Sequence, residues 1–93
     1  MPELNADTVA IVGEADLEEL LPLMRAYCDF YEAAPRDSDL LEMSSTLIAH
    51  PDREGVQLIA RDSSGAAIGF TTIFWSWSTL SASRIAVMND LFV

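Results

Sequence analysis

Four successive residues, Asp29 to Glu32, carry side chains that together can bind an organic cation. Phe30 and Tyr31 offer aromatic faces, which attract an ammonium group through the cation–π interaction. Asp29 and Glu32 flank the two rings with carboxylates that can pair with the same charge. The segment therefore indicates an amine-binding site, although the same residues also suit the ordinary end of an amphipathic helix.

The other reactive side chains are too sparse to indicate a catalytic centre. Cys28 and His50 are the single cysteine and the single histidine, and their separation in sequence gives no support for a nucleophilic dyad. No cysteine–histidine cluster has the spacing of metal ligands, so no metal is expected. The glycines at positions 13, 55, 65 and 69 are scattered and form no phosphate-binding loop.

The net charge of the chain limits the kinds of partner that we expect it to bind. The 93 residues carry a formal net charge of −10. Binding to a phosphate backbone needs clustered positive charge, so we expect no nucleic-acid partner. The acidic excess suits a solvated surface, or the attraction of a cationic substrate such as a small amine.

The sequence also gives an expectation for the cellular compartment and for contact with a membrane. The N-terminal segment "MPELNADTVA" has neither the basic nor the apolar region of a secretory signal, and a single cysteine fits a reducing cytoplasm. The stretch from Ser63 to Ser83 carries no charge and is long enough to cross a bilayer. Because β-branched and aromatic residues alternate within it, we predict two sheet segments there and no membrane partner.

Two helices are predicted between the first and second strands. From Leu17 to Tyr31, apolar residues recur at intervals of three and four, which is typical of one helix face. The segment "AAPRDSD" breaks this helix, and Ser38 or Asp39 is predicted to cap the next one. The second helix is expected to end at "HPDREG".

Four strands complete the predicted fold. They are rich in β-branched and aromatic residues, and the second and third are joined by a hairpin turn at "DSSG". The predicted strands are residues 7–12, Val56–Arg61, Ala67–Trp77 and Arg84–Val93. The order β-α-α-β-β-β predicts an α/β (α+β) fold, with a mostly antiparallel sheet in which the first strand lies beside the second.

The last strand is apolar on both of its faces. Strict alternation places two sets of side chains on opposite faces: Ile85, Val87, Asn89, Leu91 and Val93 against Ala86, Met88, Asp90 and Phe92. A sheet that is apolar on both sides needs a covering layer on each, and two helices are few for that purpose. The sequence therefore predicts that a layer is missing. Trp75 and Trp77 share a face of the third strand and are expected in the core or at an interface.

These elements, with the residues in them, resemble the first half of the GNAT N-acetyltransferase family. "EADLEELLPLMRAYCDFYE" is similar to the first helix of that family, "GVQLIARDSSGAAIGFTTIFWSWST" to its second and third strands, and "IAVMNDLFV" to its fourth strand. Within the family, the likeness is nearest to the diamine and spermidine/spermine acetyltransferase branch, which has a Leu-Glu-Asp-aromatic-Phe-Val strand where this chain has "MNDLFV".

The resemblance implies transfer of an acetyl group from acetyl-CoA to a primary amine. In the family, the fourth strand leads into a loop of the type Arg/Gln-x-x-Gly-x-Gly/Ala, which opens a helix whose amides hold the pyrophosphate. This sequence contains no such loop. Residues 1–93 are therefore expected to form a partial GNAT domain that lacks the pyrophosphate loop and the C-terminal half, and to be completed by that missing half or to form a homodimer.

The same resemblance implies roles for particular residues. The backbone of Leu91, Phe92 and Val93 matches the segment that contacts the pantetheine arm and the thioester carbonyl. Phe30 and Tyr31 match positions that line the amine pocket.

The candidate catalytic residues, Asn89 and Asp90, also come from this comparison. Asn89 stands where the polyamine-acetylating branch has a glutamate, and an amide cannot accept a proton at neutral pH. Asp90 can ionise, but strand alternation points it to the face opposite Asn89. The alternative function is a non-catalytic interaction module that pairs with another chain through an exposed fourth strand.

Overall fold

The computed structural model describes residues 7–93, which form one antiparallel sheet with two helices packed against the same face. The elements follow one another in this order: β1 (Thr8–Ile11), a 3-10 turn (Glu14–Asp16), α1 (Leu17–Phe30), α2 (Asp37–Ala49), β2 (Gly55–Arg61), β3 (Ala67–Ser78) and β4 (Ser83–Phe92). The strand order is β1-β2-β3-β4, so the predicted fold class and the place of the first strand are confirmed.

The start of α2 differs from the prediction. The helix begins at Asp37 and its N-cap is Arg36, whereas Ser38 or Asp39 was expected to cap it. The Arg36 guanidinium donates to both carboxylate oxygens of Asp39, at 2.9 and 3.2 Å. Asp39 therefore lies within the first turn, where its negative charge favours the helix dipole.

The core lies between the helices and one face of the sheet. Its buried side chains are Val12, Leu20, Met24, Leu40, Ile59 and Phe70. Ile59 and Phe70 are paired across β2 and β3, so they share the face that the helices cover. The periodicity of the first helix is thereby accounted for, because its apolar residues Leu20 and Met24 are fully buried.

A series of buried side-chain hydrogen bonds connects α2 to β2 and β3. The Ser44 hydroxyl donates to Gln57 Oε1 at 2.6 Å, and Gln57 Nε2 donates to Thr72 Oγ1 at 2.9 Å. All three side chains are at least 96% buried. A buried polar group without a partner costs folding free energy, so these hydrogen bonds fix how α2 lies on β2 and β3.

The β4 strand contains a bulge that the sequence did not reveal. Thr72 is paired with Asp90, but Ile73 is paired with Met88. Asn89 is therefore an extra residue that has no partner on β3. The strict alternation predicted for the strand is therefore wrong, because a bulge shifts the side-chain phase by one residue. Asp90 shares a face with Val87, and Leu91 shares the opposite face with Met88.

The face of the sheet opposite the helices is uncovered in residues 7–93. Val9, Ile11, Met88, Leu91 and Val93 are between 58% and 87% exposed. The two tryptophans differ: Trp75 donates its indole N–H to the Pro51 carbonyl at 2.7 Å, while Trp77 is 68% exposed with the Arg84 guanidinium 5.1 Å from its ring centre. Contiguous exposed apolar surface of this kind is typical of an interface.

We expect the 93-residue chain to dimerise through β4 or to aggregate, because this edge strand combines unpaired backbone groups with the uncovered apolar face. Replacing Leu91 with Lys should restore a monomer, since the added charge would be buried in the contact. Light scattering at tens of micromolar measures the mass. Ala34→Lys, which adds the same charge on the exposed loop between the helices, should leave the association unchanged. A monodisperse wild-type monomer would contradict the prediction.

Candidate functional site

An open cleft lies between the end of α1 and the end of β4. It has a volume of about 280 Å³ and is lined by Tyr27, Phe30, Tyr31, Leu91, Phe92 and Val93. We call it the aromatic cleft. It brings together the two residues predicted to bind the amine and the three predicted to contact the acyl donor. These two groups of positions are far apart in sequence, and the packing of α1 on the sheet makes them neighbours.

The rings in the aromatic cleft form a connected set. The centre of the Tyr27 ring is 5.1 Å from that of Tyr31 and 6.1 Å from that of Phe92. The Phe30 ring packs edge-on against Tyr31 at 5.2 Å. Phe30 and Tyr31 are 75% and 64% exposed, so the outer wall of the cleft is open to a ligand. Separations of this size are those at which aromatic pairs attract one another.

Backbone hydrogen bonds close the C-terminal end of α1, which carries Phe30 and Tyr31. Tyr31 is the C-cap of α1, and Glu32 has a left-handed backbone with φ of 57°. The Ala33 N–H then donates to the Cys28 carbonyl at 2.8 Å, which ends the helix. Neither Asp29 nor Glu32 lines the cleft, so the carboxylates next to the aromatic pair do not add charge to its walls.

A second cavity lies on the helix side of the sheet, beside β4. Its volume is about 160 Å³, and its lining residues are Met24, Tyr27, Cys28, Leu40, Met43, Phe70, Asn89 and Asp90. We call it the helix-side cavity. Tyr27 belongs to the lining of both spaces and forms their common wall.

The bulge in β4 corrects the predicted placement of the two candidate catalytic residues. Alternation put Asn89 and Asp90 on opposite faces, but both line the helix-side cavity. Because Asn89 is the extra residue of the bulge, the side chains of Asn89 and Asp90 reach the same cavity although they are consecutive. The segment "VMNDL" contains no glycine or proline to mark this bulge, which depends on how β4 pairs with β3.

Asp90 is the one carboxylate among the described residues that line the helix-side cavity. Its Oδ1 accepts the Thr72 backbone N–H at 2.6 Å, and its carbonyl accepts the Thr71 hydroxyl. Burial raises the pKa of the Asp90 carboxyl above its ordinary 3.8, and hydrogen bonds from Thr72 and Asn89 oppose that rise. A carboxylate with a raised pKa is a stronger base, which suits it to take a proton from a bound ammonium.

Tyr27 is the site residue that the sequence did not single out. The pKa of its hydroxyl is raised, first by burial and then by the negative charge of Asp90. The periodicity of α1 placed Tyr27 on the core-facing side together with Tyr31, one turn later. That spacing was a usable signal, because residues four apart on a helix lie on the same side.

Residues 7–93 contain neither a cluster of metal ligands nor a helix suited to cross a membrane. No three His, Cys, Asp or Glu side chains lie close enough together to hold a metal ion in this part of the chain. No helix there is both long and apolar enough to cross a membrane.

Comparison with known proteins gives one sequence relative and several structural ones. No family model matches the chain. The uncharacterized N-acetyltransferase YhfO of Bacillus subtilis (strain 168) is 39% identical over 80 residues, which are 85% of this chain and 51% of that protein. The chain therefore spans about half the length of the curated relative that it matches.

The similar solved structures share the fold at low sequence identity. A probable acetyltransferase matches 92% of this chain and 56% of its own, with a TM-score of 0.74 and 21% identity. The aminoglycoside antibiotic 6'-N-acetyltransferase AAC(6')-Ih from Acinetobacter baumannii matches 95% of this chain and 57% of its own, with a TM-score of 0.70 and 23% identity. A GNAT family acetyltransferase from Staphylococcus aureus subsp. aureus USA300_TCH1516 gives a TM-score of 0.68 at 13% identity and covers 95% of this chain and 62% of its own.

Proposed function

We propose that this chain, which is similar in sequence to an N-acetyltransferase and in fold to solved acetyltransferases, forms the first half of a GNAT N-acetyltransferase acting on a primary amine. The observation that carries the proposal is the aromatic cleft, in which the end of β4 faces the aromatic end of α1. A C-terminal half would complete the domain, since the matched structures are each covered only to between 56% and 62%. We place the activity in the cytoplasm.

Acetyl-CoA is the acyl donor in this proposal, and β4 is suited to receive it. β4 is one of the two edge strands of the sheet formed by residues 7–93, so within this part of the chain one row of its backbone groups can pair with an extended amide-containing chain. The pantetheine arm is such a chain, and it would lie along Leu91, Phe92 and Val93. The Phe92 ring then borders the acyl end, and Phe30 and Tyr31 border the outer side of the cleft.

Asp90 is the general base of the proposed reaction. Its carboxylate takes a proton from the substrate ammonium, and the freed amine nitrogen attacks the thioester carbonyl carbon. The C–N bond forms, the C–S bond breaks, and the departing CoA thiolate takes up the second proton of the amine. Asn89 cannot take that proton; its position in the bulge brings Asp90 to the helix-side cavity.

A chimera tests this function. Residues 1–93 are joined to the unmatched remainder of the Bacillus subtilis relative, and CoA release is followed with a thiol reagent in the presence of a panel of primary amines. We expect CoA release that depends on both acetyl-CoA and an amine. A folded chimera that binds acetyl-CoA but acetylates no primary amine would contradict the proposal.

We expect the 93 residues alone to show no micromolar binding of acetyl-CoA. The part of the chain that the structure describes has no glycine-rich turn at the end of β4 to hold a pyrophosphate, and its net charge of −10 repels that group. Calorimetric titration measures the binding, with the chimera as the positive control. A clear micromolar isotherm for the 93 residues would contradict the expectation.

An interaction module remains the alternative function, and the exposed β4 edge with the uncovered sheet face is the observation that favours it. Such a module would recruit another chain by extending the sheet. The two functions differ in the chimera, because a module gives no amine-dependent release of CoA.

A further inference from the structure

The helix-side cavity has a charge pattern that discriminates among amines. Asp90 is the one carboxylate among its lining residues. The remaining wall is largely apolar, with Met24, Leu40 and Phe70 buried behind it. A ligand here meets a single negative charge at β4 and apolar surface towards the helices. The cavity is partly open to solvent, and a second cationic group held against its apolar wall would lose water without gaining a partner, which is unfavourable.

The size of the cavity limits the ligand as well. Its volume is about 160 Å³. An apolar protein cavity of about 150 Å³ accepts one benzene molecule. The helix-side cavity therefore has room for one ring or a short branched alkyl group. Met43, which is 40% exposed, and the fully buried Met24 are unbranched and flexible, so the lining can adapt to the exact shape of such a group.

The position of the cavity places it next to the proposed reaction. It shares the Tyr27 wall with the aromatic cleft, and Asp90 is two residues before Phe92 on the same face of β4. A ligand whose apolar body fills the cavity would hold its ammonium at Asp90, at the boundary of the space where the acyl donor is proposed to lie.

We infer that the acceptor is a monocationic primary amine with a compact apolar body about the size of one phenyl ring, seated in the helix-side cavity. The inference rests on the proposed acetyl transfer to an amine and names its substrate class. It separates this chain from polyamine acetylation, because spermidine carries further charges along its length and no compact apolar group.

Methionine methyl groups report directly on the cavity. With ¹³C-methyl methionine, Met24 and Met43 probe its wall, and Met88 on the uncovered sheet face is a built-in control. The chimera is titrated with 2-phenylethylamine, 2-phenylethanol and spermidine. We expect 2-phenylethylamine to shift the Met24 and Met43 signals to saturation and leave Met88 unmoved. The alcohol should bind about tenfold more weakly, since it lacks the charge. Spermidine should produce no saturable shift at these methyl groups.

A filled-cavity variant provides the matched test. Met43→Trp should abolish the 2-phenylethylamine response at Met24, whereas Met88→Trp adds the same ring on the opposite face and should leave it intact. Saturable shifts of Met24 and Met43 with spermidine, or no shift with 2-phenylethylamine in the folded chimera, would overturn the inference. If 2-phenylethylamine binds in the cavity but the chimera acetylates no primary amine, the cavity is a binding site for such amines and the proposed function fails; if the chimera acetylates other primary amines but not 2-phenylethylamine, the function stands and the inference fails.

Discussion

Replacing Asp90 with Asn in the chimera is expected to slow acetyl transfer by about 10²- to 10⁴-fold, the usual contribution of a positioned general base. Asn has nearly the same shape and keeps the Oδ1 atom that accepts the Thr72 N–H, so the bulge and the cavity should persist. What is lost is the ability to take a proton from the ammonium. The measurement is kcat/KM for CoA release with a saturating acyl donor.

The same substitution should make the fold more stable at neutral pH. Because the pKa of Asp90 is raised in the folded chain, folding favours its protonated form, and its ionisation reduces the free energy of unfolding. The advantage of the Asn variant should therefore grow as pH rises from about the ordinary value of 3.8 through the raised pKa, and then stay constant.

Replacing Asp62 with Asn is the matched control for both measurements, the rate of acetyl transfer and the free energy of unfolding. Its carboxylate accepts the backbone N–H groups of Ser64 and Ala66 in the hairpin turn, and the hydrogen bonds to Ser64 and Ala66 lower its pKa. Asp62→Asn should leave acetyl transfer unchanged and should lower stability at neutral pH, the opposite sign to Asp90→Asn. An Asp90→Asn chimera with undiminished kcat/KM would remove Asp90 from the mechanism.

Replacing Gly55 with Ala is expected to unfold most of the chain. A Cβ atom at this position would lie 2.1 Å from the Ile73 carbonyl oxygen and 2.6 Å from the Phe74 Cα, both of them backbone atoms that cannot rotate away. The φ of Gly55 is +146°, which adds strain for any L side chain. We expect a loss of about 4 kcal/mol or more, within the range of the whole stability of a small domain. Urea or thermal denaturation followed by circular dichroism measures it.

Gly65→Ala separates steric clash from backbone strain. Gly65 also has a positive φ, of +90°, but no atom lies within 4 Å of the Cβ position. Only the backbone cost remains there, about 1–2 kcal/mol. Equal destabilisation by the two alanine variants would show that the approach of β2 to β3 at Gly55 is not as close as the structure has it.

Much of the fold could be predicted from sequence, because each element carries its own period. The three- and four-residue spacing of α1, and the β-branched runs on both sides of "DSSG", placed these elements to within about one residue of their observed ends. The start of α2 was misplaced, because the N-cap is Arg36 and the prediction was Ser38 or Asp39. Asp39 looks like a capping residue in the sequence, but its carboxylate pairs instead with Arg36.

The candidate site was predictable only in part. The resemblance to a family selected the aromatic pair at 30–31 and the strand end at 91–93, and the structure places them around one cleft. The joint placement of Asn89 and Asp90 was not predictable, since a bulge depends on which residues oppose each other across two strands. Strand register is a tertiary property, and the period of one strand does not contain it.

The bulge at Asn89 also changes how this chain should be aligned with other sequences. The two ends of β4 are out of phase, so an alignment based on alternation alone will assign every side chain after Asn89 to the wrong face. A relative that lacks this one residue would keep the carboxylate equivalent to Asp90 on the helix side of its sheet, because Asp would then follow Met88 directly and still oppose Thr72. A single-residue gap at this position is therefore the expected trace of a relative without the bulge, whereas a gap elsewhere in the strand would move an entire row of side chains to the other face.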